Sequence, residues 1–448
     1  MTTPLPSLSQ IATELRQGAL SSHDLVARAI ATHDATEARL NAYKTWAGDR
    51  ALAQAETADR LLADQVDLGP LMGIPVSVKD LYGVPGLPVF AGTDSELPSA
   101  WQRPGPVIAR LLSQLGIVMG KTHTVEFAFG GLGVNAHWGT PVNPCSAPDA
   151  PRAPGGSSSG AGVSLAQGSA LIAFGTDTAG SVRVPASLTG QVALKTTWGR
   201  WSLDGIVPLS PSLDTPGLLC RTVADLAYAF AALEGQPVPS PRPVAGLRIG
   251  VPEHLFWDQA DAAIIDTTRA ALDRLAQAGA KLVPVTLPGC DAVLEVFAKG
   301  GLAAPELRAF LNQRFPERIA RLDPVVRMRV EGAENLSATE YLRRRTILAD
   351  AARAALGAFA DCDVIATPTV AISPPLLSEL ADPAAYGPKN MLTLRNTAVV
   401  NLLGLCALTL PSGRDHNDMP VGLQLIAPPM AEPLLLSVGQ GVETTLNT

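Results

Sequence analysis

The chain has 448 residues, 47% hydrophobic and 17% charged, with a net charge of −7. At about 150 residues per domain the length allows three domains, and the composition suits a large buried core rather than disorder. No basic run or basic–aromatic stripe occurs, which argues against nucleic acid as a partner.

The N-terminus lacks a cationic start followed by an apolar stretch, so no signal peptide is expected. Residues 1–65 read as helical. Ser21 and Asp24 stand at capping-box spacing, with Leu25, Val26, Ala29 and Ile30 on one face behind them. Ile74 to Lys79 alternates apolar and polar like a strand that ends on a lysine. A helix from Val107 to Leu115 leads through Gly116 into a short strand ending at Gly120, and Ala170 to Phe174 reads as another strand. Helix and strand patterns alternate to about residue 290, which predicts α/β layers around a largely buried sheet. Residues 236–246 hold Pro237, Pro239, Pro241 and Pro243 and form the best linker candidate. Leu247 to Val251 restarts a strand pattern at once, which favours one domain over residues 1–448. Residues 292–360 read as helical, and Val364 to Ala366 as a buried strand.

Gly, Pro or polar residues interrupt each apolar stretch before it could span a membrane, so no membrane partner is expected. Cys145, Cys220, Cys290, Cys362 and Cys406 form no CxxC pair and are expected as reduced thiols in a cytoplasmic protein.

Two small-residue segments carry the chemistry: Pro154-Gly155-Gly156-Ser157-Ser158-Ser159-Gly160, and Gly175 to Pro185 around Ser181. Flexible linkers are one account, but apolar strand and helix patterns flank both segments closely. A nucleophile elbow is a second, because Gly156 to Gly160 matches GxSxG with Ser158 as nucleophile. It needs a strand directly before it, where residues 143–154 are proline-rich, and a downstream histidine and acid, where only His254 and His416 remain. The third account joins both segments to Lys79. A serine hydroxyl needs a base, and lysine serves as one only when burial keeps it neutral. The apolar alternation before Lys79 suits a buried strand end.

This third arrangement resembles the amidase signature family. The matching segments are Gly73 to Asp80, Pro154 to Gly160 and Gly175 to Ala186. Gly120-Lys121-Thr122, Glu126-Phe127-Ala128, Ser212 to Gly217, Arg221 to Asp225, Thr367-Pro368-Thr369, Asn401 to Gly404 and Pro420 to Leu425 follow in order. The resemblance covers nearly the whole chain. It implies one large α/β domain, with a central mixed twisted sheet covered by helices on both faces. The signature core would span about 70–230, and the helical region about 292–360 would shape the pocket.

It further implies that Ser181 is the nucleophile and that Ser157, after a cis peptide bond, relays its proton to Lys79. Backbone N–H groups of Thr178, Ala179, Gly180 and Ser181 would form the oxyanion hole. Lys121 and Lys195 are weaker candidates for the base. Phe127, Phe129, Gly130, Gly131, His137 and Trp138 are pocket candidates by position. Ser158 and Arg183 are further candidates for substrate contact, set against a local hydrogen bond for Ser158 and an ion pair with Asp177 for Arg183. Two departures stand out: Ala179 where glycine is common, and Thr196 where proline is common.

The implied activity is hydrolysis of a linear carboxamide of a small molecule through an acyl-enzyme, with no metal or organic cofactor. The alternative is the glutaminase-type component of an amidotransferase working with partner subunits. A homodimer is expected from the family, and a small accessory subunit remains compatible with it.

Overall fold

The computed structural model describes residues 6–447; the first five residues, where a leader would begin, lie outside them. Ser7 opens the first helix, Leu8–Gln17, through a capping box with Gln10, and Gly18 ends it in the left-handed conformation. Ser21 caps Ser22–Leu40 by accepting from Asp24 N. Between that helix and Gly48–Ala63 lies a strand, so the N-terminal segment is not all helical. Four residues at a sheet edge are too few for a period-two pattern to show.

The strands are β1 (Tyr43–Trp46), β2 (Pro75–Lys79), β3 (Ile117–Thr122), β4 (Ile172–Asp177), β5 (Val192–Lys195), β6 (Thr215–Cys220), β7 (Arg248–Pro252), β8 (Lys281–Val285), β9 (Val364–Pro368), β10 (Cys406–Arg414) and β11 (Pro420–Ala427). Among the described residues they form one sheet in the order β1-β3-β2-β4-β6-β5-β10-β11-β9-β7-β8. β2 runs parallel to β3 and β4, and β7 to β8 and β9. The other pairings are antiparallel.

Alternation along the strands serves two cores. Ala173, Ala193 and Leu219 pack with Ala161, Val182 and Ala186 from helices Ser159–Gln167 and Arg183–Thr189 and the turn before the latter. Phe174, Leu194 and Leu218 join the main core with Leu226 and Phe230 of helix Val223–Glu234. The small residues on the first face let two short helices come close. The large ones on the second fill a deeper layer, where each fully buried Phe or Leu contributes about 1.5–3 kcal/mol.

The proline-rich stretch at 236–246 does not divide the fold. Arg242 N donates to Ser437 O, and the Gln440 amide and Ser437 hydroxyl donate to Pro239 O and Ser240 O, which tie it to the last helix. The same sheet continues on both sides of it. No helix among the described residues is long and apolar enough to cross a membrane.

Candidate active site

The parallel pairing of β2 with β4 sets Val78 opposite Phe174, so Lys79 and Thr176 emerge together at the carboxyl ends of their strands. Crevices at such ends are where open α/β sheets bind ligands. Lys79 shares a face with Ser77, whose hydroxyl meets Ser164 of helix Ser159–Gln167 at 2.9 Å. The loop entering that helix carries Ser157. Lys79 Nζ lies 2.7 Å from Ser157 Oγ and 2.8 Å from Thr176 Oγ1. Its side chain is fully buried. Burial pushes the amine down to about 7, although Asp214 and Asp177 pull the other way. The Gly156–Ser157 peptide is cis.

Ser158 N donates to Ser181 O at 3.2 Å, which clasps the two small-residue segments together. The turn bearing Ser181 is organised by Asp177. Its carboxylate accepts from Gly180 N at 2.7 Å and Val182 N at 3.2 Å, and pairs with Arg183 at 3.0 Å. Burial raises this carboxyl, but the Arg183 guanidinium outweighs that and holds it at about 2. Gly180 has φ +130°, and an added Cβ would lie 2.1 Å from Thr397 Oγ1, so glycine is required there. Ala179 avoids the left-handed region, which explains why alanine is tolerated. The Thr196 hydroxyl donates to Pro216 O, so that departure is accommodated as well.

A cavity of about 350 Å³ opens beside Ser181. Phe129, Gly130, Thr178, Ala179 and Ser181 line one side. Residues 297–305, several residues of 329–344, and Asn390, Met391 and Leu394 line the rest.

Some expectations need correction, while for Arg183 the ion pair with Asp177 holds and the weaker base candidates Lys121 and Lys195 stand aside. The Gly180 N–H is committed to Asp177, which leaves Thr178, Ala179 and Ser181 as loop donors that meet no acceptor among the described residues. Arg183 does not reach the cavity: it is fully buried on Asp177, Gln424, Asn401 and Thr397 O. Ser158 is also fully buried and donates to Thr176 O. Gly131 N donates to Asn390 Oδ1 behind the lining. Phe127 belongs to the main core. His137 meets Glu126 at 3.0 Å and Trp138 donates to Thr93 O, both away from the cavity. Lys121 pairs with Asp80 at 2.9 Å, and Lys195 donates to Thr196 O and Leu405 O, so neither stands at the serines. The helical region 292–360 was expected to shape the pocket, but no single residue near 300, 330 or 390 was singled out by the sequence. These stretches lie more than 100 positions from Ser181 and carry no motif.

A family model described as Amidase matches residues 24–436. The chain belongs to the amidase family. It hydrolyses carbon–nitrogen bonds. It is 59% identical to the 2-amino-5-chloromuconic acid deaminase of Comamonas testosteroni, over 98% of this chain and 96% of the relative. Identity is 33% to the A component of the glutamyl-tRNA(Gln) amidotransferase of Chloroflexus aggregans, over 98% and 96%. A crystal structure of an amidase superposes with a TM-score of 0.89 at 28% identity, covering 98% of this chain and 99% of the other.

In this amidase, replacing Arg183 with methionine leaves the Asp177 carboxylate buried and unpaired. Urea denaturation should show a stability loss of about 3–5 kcal/mol. A loss below about 1 kcal/mol would mean that the pair does not hold the turn.

Proposed function

We propose that this amidase cleaves a linear carboxamide of a small molecule with Ser181 as nucleophile and Ser157 and Lys79 as proton relay. The contact between the buried Lys79 amine and Ser157 Oγ carries this reading. An amine near neutrality accepts a proton at physiological pH, where an ordinary lysine is already charged. Ser181 Oγ attacks the carbonyl carbon and its proton passes through Ser157 to Lys79. The N–H groups of Thr178, Ala179 and Ser181 stabilise the oxyanion. One such donor is worth on the order of a hundred- to a thousand-fold in rate. The proton returns through Ser157 to the departing nitrogen, which leaves as ammonia or amine. Water then attacks the acyl-enzyme by the same relay, releasing the carboxylate and restoring Ser181.

The name of the 59%-identical relative supports ammonia as the nitrogen product and a small acid as its source. The 33% identity to an amidotransferase component supports a glutaminase working with partners as the second reading. Ammonia release from 2-amino-5-chloromuconate, a carboxamide panel and glutamine, by protein purified without partners, separates the two. Turnover of glutamine alone would favour the second. Five free cysteines, four of them buried, support a cytoplasmic setting. A homodimer remains part of the proposal on family grounds.

Fluorophosphonate labelling should disappear in Ser181→Ala, fall sharply in Lys79→Ala and persist in Ser158→Ala. Ser181→Ala should also lower kcat by on the order of a million-fold. Label kept in Ser181→Ala and lost in Ser158→Ala would overturn the assignment.

The neutral Lys79 amine is the active form, so kcat/KM should rise with pH and reach half its plateau near 7. Below that the protonated amine cannot act as base. A flat profile between about pH 5 and 9 would rule Lys79 out as the base.

A further inference from the structure

Among the described residues, the cavity beside Ser181 is lined by three cations, Lys299, Arg329 and Arg344, and by no aspartate or glutamate. In a chain of net charge −7 this is against the overall balance. Two of the three cations are already matched. Lys299 pairs with Glu295 at 2.5 Å. Arg344 donates to Glu340 at 2.9 Å and to Gly301 O at 2.8 Å.

Arg329 differs. It forms no ion pair among the described residues; it donates to Phe129 O at 2.9 Å and also hydrogen-bonds the Tyr386 side chain. Its guanidinium sits 5.2 Å from the Phe129 ring centroid and 5.9 Å from that of Tyr386. Two aromatic rings orient the planar group and strip part of its water, but they do not neutralise it. Asn390 lies one helical turn beyond the same tyrosine, on helix Pro383–Leu402. Its Oδ1 accepts from Gly131 N at 2.8 Å and from Tyr386 OH at 3.4 Å. That fixes the amide orientation and leaves Nδ2 a donor without an acceptor among the described residues, on a side chain that lines the cavity.

We propose that Arg329 and Asn390 Nδ2 form a carboxylate-binding subsite, so that the enzyme takes a small anionic substrate whose carboxylate stands away from the scissile C–N bond. This rests on the reading that Ser181 is the reacting side chain. A guanidinium fork and an amide N–H match the two oxygens of one carboxylate. The carboxylate supplies the charge that Arg329 lacks, and the apolar lining excludes competing water. A neutral substrate would leave the guanidinium desolvated and unmatched, and is discriminated against on that ground.

The test compares monoamides of four- to six-carbon dicarboxylic acids with the corresponding neutral diamides. Wild type should prefer the monoamides. In Arg329→Met the ratio of kcat/KM values, monoamide over diamide, should fall by about a hundred-fold or more, and Arg329→Lys should recover part of it. Asn390→Asp keeps the acceptor for Gly131 and Tyr386 but removes the donor and adds charge, so it should also lower the ratio. Equal preference in wild type, or a ratio unchanged in Arg329→Met, would overturn the proposal. Calorimetric binding of succinate and glutarate to the Ser181→Ala protein tests the subsite without turnover. Binding that Arg329→Met abolishes supports the proposal, and binding that it leaves unchanged overturns it. Fluorophosphonate labelling of the wild type reports separately on Ser181, so a failure of the nucleophile assignment would not be mistaken for a failure of the subsite.

Discussion

A lysine amine without access to water, held between two hydroxyls, is the constraint on which the rest of this site depends. Charging a fully buried amine is costly, so Lys79 stays near neutrality only while the strands, the Ser157 loop and the following helix keep solvent out. Each of those elements is therefore held tightly. β2 lies between β3 and β4, and the helix after Ser157 packs on small residues that let it come close. Gly160 shows how close: an added Cβ would lie 2.1 Å from Ala42 O. Widening that contact would admit water and return the amine to the ordinary lysine range.

The second constraint is the Asp177–Arg183 pair. A buried ion pair is seldom a net source of stability, because desolvating two charges offsets their attraction. Here the pair has a positional role. Asp177 takes the Gly180 and Val182 N–H groups and fixes the turn that presents Ser181. Arg183 carries that geometry to Gln424 and Asn401, more than 200 positions away. The turn is thus anchored by the C-terminal part of the chain, and one sheet joins the two. The same buried pair explains why neither charge is available to a substrate.

Chemistry and selectivity come from different stretches of chain. The proposed reacting groups, Lys79, Ser157 and Ser181, lie on a strand end and on loops clamped to the sheet. Most of the remaining cavity wall comes from residues 297–305, 329–344 and 390–394. These lie on helices and turns outside the sheet, where substitutions change shape and charge without disturbing the buried amine. A scaffold divided in this way can keep one hydrolytic mechanism while the acyl group it accepts changes.

How much of this was legible in the sequence follows the same division. The proposed reacting residues Lys79, Ser157 and Ser181 were singled out through the family resemblance, whose motifs are local runs of sequence. A strand must end on the lysine, and glycines must flank the serines where backbones come close. The α/β alternation and the helices between 290 and 360 were likewise visible, since period and composition are local properties. The strand Tyr43–Trp46 was not, being short and on an edge. Nor could the sequence show that Gly180 gives its N–H to Asp177, or that Phe127 faces the core while Phe129 faces the cavity. Those outcomes depend on which partner lies within about 3 Å. Arg329 and Asn390 are the clearest case. Each is an ordinary residue of a helix, and only the packing of those helices around Tyr386 and Phe129 places a guanidinium and an amide beside Ser181 with no carboxylate to meet them.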